Sequence, residues 1–194
     1  ALKSELSYLW TVNIGMALEN IRKWQWINRM NEKINRMWKY DMLTQVLNRS
    51  GFFYCAETIL QKIKEEKSNA FIIFLDIDGL KSVNDNLGHE IGDAFIAKIA
   101  GILKEVVPKD CLIMRYGGDE FVVFGSCKQA GRMQRIAEDI KAAIKTADQK
   151  ENRSYHLAAS LGCSLHKSYE MDNLNSLIEL ADKKMYEEKK NKRR

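Results

Sequence analysis

The sequence predicts an α+β domain with a central mixed or antiparallel sheet flanked by helices, preceded by a long helical stalk. Three observations carry that prediction. Phe71-Ile72-Ile73-Phe74-Leu75 is an unbroken apolar run that stops at Asp76-Ile77-Asp78-Gly79, the pattern of a strand buried on both faces. Leu112–Tyr116 and Phe121–Phe124 are short strand-like runs around Gly117-Gly118-Asp119-Glu120, which reads as a tight hairpin. The segments between and around them space their apolar residues three and four apart, as amphipathic helices do.

Taken in order, residues 1–40 hold no proline and one glycine, Gly15, and favour one long helix. Apolar side chains recur at Trp10, Ile14, Ala17, Ile21 and Trp24, then at Ile27, Met30, Ile34 and Met37. The step from Trp24 to Ile27 shifts the register, as a stammer would. An isolated amphipathic helix has nothing to bury its stripe against, so the segment is read as a two-stranded coiled coil that dimerises the chain; a helix folded back on its own domain is the alternative. All four tryptophans, Trp10, Trp24, Trp26 and Trp38, fall here, and they equally suit packing at a junction with a missing upstream domain.

The domain proper is expected over residues 41–194. Phe53, Ala56, Ile59, Leu60 and Ile63 mark a helix from Arg49 to about Lys64, ahead of the apolar strand. Phe95, Ile99, Ile102 and Val106 mark a second from Gly92 to Val107, stopped before Pro108. After the hairpin, Met133, Ile136, Ala137, Ile140 and Ile144 define a third. Tyr155, Leu157, Ala159, Leu161, Cys163 and Leu165 alternate strictly, predicting a strand with one covered face. Leu177, Ile178, Ala181 and Met185 place a closing helix over about Leu174 to Lys189.

The 194 residues suit one domain plus an appendage, and 45% hydrophobic with 29% charged residues is ordinary globular composition. The net charge of +5 invites a nucleic-acid or membrane-surface reading, but its distribution argues against one. Residues 1–40 and 182–194 each carry +4, leaving a body of −3. Cys55, Cys111, Cys127 and Cys163 are widely spaced with no C-x-x-C pair, so reduced thiols in a cytoplasmic protein are expected. No apolar run approaches a membrane span, and no signal peptide is visible. The chain begins at Ala1 and reads as a cut fragment, so this expectation leaves membrane anchoring of a parent protein open.

Two places join carboxylates to turn glycines at strand ends: Asp76-Ile77-Asp78, and Gly117-Gly118-Asp119-Glu120. Carboxylates beside an apolar strand are costly without a cation, and oxygen ligands suit Mg²⁺ or Mn²⁺. Mg²⁺ typically takes one or two carboxylates plus substrate phosphates, which points to a nucleoside triphosphate. Both clusters equally read as solvated turns. Between them, Lys81 to Asp93 is dense in polar groups able to read a purine edge, with Asn84 and Asp93 suited to guanine; taken singly, each better suits a helix cap or turn. His89, His156 and His166 offer no zinc spacing.

At these residues the sequence resembles the GGDEF-domain diguanylate cyclases. Arg115-Tyr116-Gly117-Gly118-Asp119-Glu120-Phe121 is similar to the family's R-Y-G-G-D-E-F signature. Asp41-Met42-Leu43-Thr44-Gln45-Val46-Leu47-Asn48-Arg49 resembles its D-x-L-T-x-L-x-N-R entry motif, with Val46 in place of the usual Leu. Asp76-Ile77-Asp78 through Lys81, Asn84-Asp85, Gly88-His89 and Gly92-Asp93 resembles its metal and guanine segment, and Ala181-Asp182, Met185-Tyr186 and Lys189 its closing helix.

The resemblance implies a fold akin to nucleotidyl cyclases and the polymerase palm. It also implies condensation of two GTP into cyclic di-GMP with release of two pyrophosphates, one GTP on each half of a dimeric site. Asp76, Asp119 and the Ile77 carbonyl match ligands for Mg²⁺ or Mn²⁺; Asp119 also matches the base for the ribose 3′-OH, with Glu120 a supporting carboxylate. Asn84 and Asp93 match the guanine-reading pair, with His89 in the same segment; Lys81 matches a cation on phosphoryl charge, and Lys189 and Arg193 the holders of the terminal phosphates. Gly117 and Gly118 are expected to let the hairpin backbone approach the nucleotide. A homodimer through the stalk would then align two half-sites, with the register shift a candidate regulatory hinge.

One departure matters: the R-x-x-D product-inhibition motif of many members is replaced by Pro108-Lys109-Asp110-Cys111, so feedback through that place is expected to be weak or absent. The alternative function is a catalytically silent GGDEF domain serving as a GTP-binding or protein-interaction module. Nucleic-acid binding is not expected, because the basic ends lack a base-reading face.

Overall fold

The computed structural model describes residues 2–150, 155–167 and 173–192. The chain divides into two compact units, Ala1–Trp38 and Lys39–Arg194. The first is one continuous helix, α1 (Leu2–Lys39), without a break at the Trp24–Ile27 register shift. At 1.5 Å per residue it is about 57 Å long. Its apolar residues Trp10, Ile14, Ile21, Trp24, Ile27, Ile34 and Met37 are exposed in the single chain.

The second unit runs α2 (Arg49–Glu65), β1 (Asn69–Ile77), α3 (Leu80–Leu87), α4 (His89–Val106), β2 (Leu112–Arg115), β3 (Glu120–Cys127), α5 (Arg132–Lys150), β4 (Ala159–His166) and α6 (Leu174–Lys192). The strands form one sheet in the order β2-β3-β1-β4, with every pairing antiparallel. Of the mixed and antiparallel possibilities, the second holds. The apolar run is the central strand, and its alternate residues feed two cores. Phe71, Ile73, Leu75 and Ile77 join one built with α4 and α5, while Ala70, Ile72 and Phe74 join one built with α2 and α6. Each buried Phe, Ile or Leu among them contributes about 1.5–3 kcal/mol, so this strand anchors both layers.

Three local expectations change. A short helix, α3, precedes α4; its polar sequence LKSVNDNL buries only Leu80 and Val83, too weak a stripe to announce a helix. The strand expected over 155–165 with one covered face is β4 from Ala159, where Ser160, Gly162 and Ser164 of the other face are buried and Leu165 of the expected face is exposed. The cause is α6, which lies so close that a Cβ on Gly162 would stand 2.1 Å from the Ala181 carbonyl oxygen. Finally, α6 continues to Lys192, a turn beyond the expected Lys189. All four cysteines carry free thiols, Cys111 and Cys127 buried and the other two partly so.

Candidate active site

Strand periodicity places the first two carboxylates. Side chains alternate across a strand, so Asp76 shares the α6 face of the sheet with Ile72 and Phe74. It pairs across the ladder with Glu120 on β3 and with Ser160 on β4. Glu120 follows the same alternation from Val122 and Phe124. The two carboxylates therefore face α6 together. Asp119 lies just outside β3, with its carbonyl accepting from the Ile77 amide at 3.0 Å. That bond ties the hairpin tip to the end of β1.

The hairpin closes by Tyr116 N donating to Glu120 O at 2.8 Å. Its tip is held by Arg115, which donates to the Gly118 carbonyl at 3.2 and 2.8 Å and to both Asp41 oxygens at 3.1 and 3.2 Å. Burial would raise the Asp41 carboxyl, but the Thr44 hydroxyl and amide and Arg115 outweigh it and hold it below its usual range. The hairpin glycines play unequal parts. A Cβ on Gly117 would stand 2.5 Å from Glu120 Oε2, whereas Gly118 faces open space. Gly117 thus makes room for a carboxylate of its own hairpin.

Negative charge is in excess here. Burial first, then Asp119 and Asp78, raise the Asp76 carboxyl, with Lys189 pulling the other way. Burial, then Asp119, Asp76 and Asp182, raise Glu120, again against Lys189. Lys189 donates to Asp76 Oδ1. These groups border a cavity of about 250 Å³ lined by Asp76, Glu120, Asp182, Met185, Tyr186, Lys189 and Lys190. Lys189 and Lys190 stand against Asp76, Asp119, Glu120 and Asp182, so carboxylates outnumber ammonium groups and the place favours a further cation. Among the described residues, no three His, Cys, Asp or Glu side chains gather closely enough to hold a metal by themselves. The donors present therefore fit a hard cation completed by backbone and phosphate oxygens rather than an all-protein cage.

Beyond β1 the chain turns into α3 and α4, which carry the remaining candidates. Lys81 is exposed in the first turn of α3. Asn84 packs against Gly92 so closely that a Cβ there would stand 1.8 Å from Asn84 Oδ1. That oxygen is buried with no hydrogen-bond partner. Gly88, at φ +90°, lets the two helices abut. His89 and Asp93 are exposed one turn apart on α4, and Asp93 follows directly on Gly92, the residue Asn84 packs against. Arg193 lies outside the described residues.

Residues not anticipated are Ser160, Glu188 and Lys192. Lys192 donates to Asp78 Oδ2 at 3.1 Å, to the Ala159 carbonyl at 2.7 Å and to Ser160 Oγ at 3.2 Å. Its spacing of three from Lys189 was the available signal.

An antiparallel sheet whose central strand ends in a carboxylate cluster, capped by a lysine-rich helix, defines an α+β domain with an acidic strand-end site. The chain belongs to the diguanylate cyclase GGDEF-domain family, whose model matches residues 38–194. It is 29% identical over 195 residues to diguanylate cyclase A of Treponema denticola, covering 98% of this chain and 52% of that protein. Diguanylate cyclase VdcA of Vibrio cholerae is 32% identical over 168 residues, covering 84% and 48%. The chain thus spans about half the length of these relatives. In fold it matches the coiled coil and GGDEF domain of DgcB from Caulobacter crescentus in complex with c-di-GMP, with a TM-score of 0.80, 23% identity, and coverage of 91% and 94% of the two chains.

Proposed function

We propose that this chain is a diguanylate cyclase that joins two GTP into cyclic di-GMP, each GTP held by one half-site of a homodimer aligned by α1. The observation that carries the reading is the set of carboxylates Asp76, Asp119 and Glu120 at adjoining strand ends, with Lys189 as their counter-ion. Membership of the family and similarity to two diguanylate cyclases support it.

In this reading Asp76, Asp119 and the Ile77 carbonyl would hold Mg²⁺ or Mn²⁺, which would supply neutralisation of phosphate charge. Asn84 and Asp93 bind guanine, the carboxylate accepting from N1–H and N2–H₂, with His89 bordering the same pocket. A carboxylate would instead face the acceptor N1 of adenine, so GTP is preferred over ATP. Lys189 exchanges Asp76 for the terminal phosphates, and Lys81 offsets charge on the phosphoryl oxygens. Asp119 takes the proton from the ribose 3′-OH of one GTP. That oxygen then bonds to the α-phosphorus of the GTP in the other subunit while the bond to pyrophosphate breaks. Two such transfers close the ring and release two pyrophosphates. Alignment supplies much of the rate.

Among the described residues, no helix is long and apolar enough to cross a membrane. The test is cyclic di-GMP formation from GTP and Mg²⁺ as a function of protein concentration. Specific activity should rise with dimer formation, and Asp119→Ala should abolish it. A dimeric sample that binds GTP without forming product would instead favour a binding module.

A further inference from the structure

We propose that Asp78, Ser160 and Lys192 form a latch that fixes the last turn of α6 to the ends of β1 and β4 and so positions Lys189 beside Asp76. The proposal rests on the diguanylate cyclase reading for the role of Lys189, and adds residues that reading does not use.

The latch is built from the buried side outward. Ser160 has no exposed surface. Its hydroxyl donates to Asp78 Oδ1 at 2.8 Å and accepts from Lys192 Nζ at 3.2 Å. Asp78 Oδ2 accepts from the same ammonium at 3.1 Å, and the Ala159 carbonyl does so at 2.7 Å. The three donors of Lys192 are therefore met by three groups on β4 and the β1 end. Asp78 turns toward β4, and the cavity beside Asp76 is lined without it. The second aspartate of the Asp76-Ile77-Asp78 segment is thus engaged as an anchor rather than a free ligand.

A companion tether lies one turn earlier. Glu188 accepts from Lys141 Nζ at 2.8 Å and from the Leu161 amide at 3.3 Å, and stands 3.4 Å from Lys192. Lys189 lies between Glu188 and Lys192. Helix ends fray because their last carbonyls lack intrahelical partners, and Lys192 is the last described residue of α6. Fixing both flanks of Lys189 removes that freedom and aims its ammonium at Asp76. Lys192 is itself engaged by Asp78 and Glu188. It is a positioning residue.

A positioned Lys189 would grip the terminal phosphates already in the ground state, so loosening it should raise KM for GTP more than it lowers kcat. Lys192→Met and Asp78→Asn should each raise KM about three- to tenfold with kcat within about twofold, while Lys192→Arg restores KM. In a Lys189→Met background, adding Lys192→Met should raise KM no further. Amide hydrogen exchange across residues 186–192 of the full chain, without nucleotide, should accelerate in Lys192→Met and Asp78→Asn and stay slow in Lys192→Arg.

Unchanged exchange in both loss variants overturns the latch, whatever the kinetics. Faster exchange with unchanged KM, or an additive KM effect on top of Lys189→Met, overturns its action through Lys189. A wild-type protein that neither binds nor turns over GTP overturns the cyclase reading and the positioning role with it, while the exchange arm still decides whether the tether exists.

Discussion

Replacing Gly162 with alanine adds one methyl group where α6 crosses β4. The new carbon would stand 2.1 Å from the Ala181 carbonyl oxygen and 2.2 Å from the Met185 amide nitrogen, where ordinary contact begins at 3.4 Å. Both neighbours are backbone, so no side chain can rotate aside. The helix must retreat by about 1.3 Å, and a gap of 0.5–1 Å already forfeits a quarter to a half of each dispersion contact along its buried face. That face comprises Leu174, Leu177, Ile178, Ala181 and Met185. Overpacking of this kind costs about 1–3 kcal/mol, and backbone against backbone belongs at the upper end. For a domain of this size, about 3 kcal/mol lowers Tm by roughly 6–12 °C. The same retreat lifts Lys189 from Asp76, so KM for GTP should rise. Thermal melts by circular dichroism check the first effect and initial-rate kinetics the second. A Gly162→Ala protein melting within about 2 °C of wild type with an unchanged KM would refute the packing argument.

Other expectations concern charge. Burial and negative neighbours raise Glu120, so the folded chain holds that proton more tightly than the unfolded one, and stability falls as pH rises from the usual carboxylate range through the raised pKa. Glu120→Gln should flatten that fall in urea melts without divalent ions and stabilise the chain at pH 7; a steeper fall would contradict it. Asp41 has the opposite sign: held low, it contributes stability at neutral pH that is lost as pH drops through its folded pKa. Asp41→Asn should therefore cost stability at pH 7 and less below the usual carboxylate range, as read by urea midpoints. Product inhibition through Pro108–Cys111 should be weak: burial pushes the Cys111 thiol up to about 11, so it stays neutral, and Asp110 is engaged by Arg132 at 2.6 and 2.7 Å. Low-micromolar inhibition by cyclic di-GMP, abolished by mutating this stretch, would overturn that expectation.

Legibility in the sequence tracked the strength of local signals. The apolar run of β1, the hairpin and the stripes of α2, α4 and α5 were readable because burial there imposes a simple period. α3 was not, since only Leu80 and Val83 are buried in a polar segment. The second covered face of β4 escaped because Ser160, Gly162 and Ser164 carry no apolar signal; their burial is imposed by close approach of α6. At the site, the motifs singled out Asp76, Asn84, Asp93, Asp119 and Glu120. That Asp76 and Glu120 are direct partners across β1 and β3 depends on the ladder register. Lys192, Ser160 and Glu188 were missed because their roles arise from contacts 27 to 114 residues apart in sequence.

Arg115 has a mechanical consequence. Its guanidinium grips Asp41, in the turn by which the chain enters the domain, and the Gly118 carbonyl at the hairpin tip. Arg115 lies 74 residues along the chain from Asp41. The entry turn is therefore joined to the backbone beside Asp119 through one planar side chain, in addition to the hydrogen bonds of Leu47 with β2. Lysine, with a single ammonium, could hold either end but not keep both in the same plane. Arg115 thus ties the entry turn and the carboxylate-bearing tip to one side chain, and its loss would release both at once.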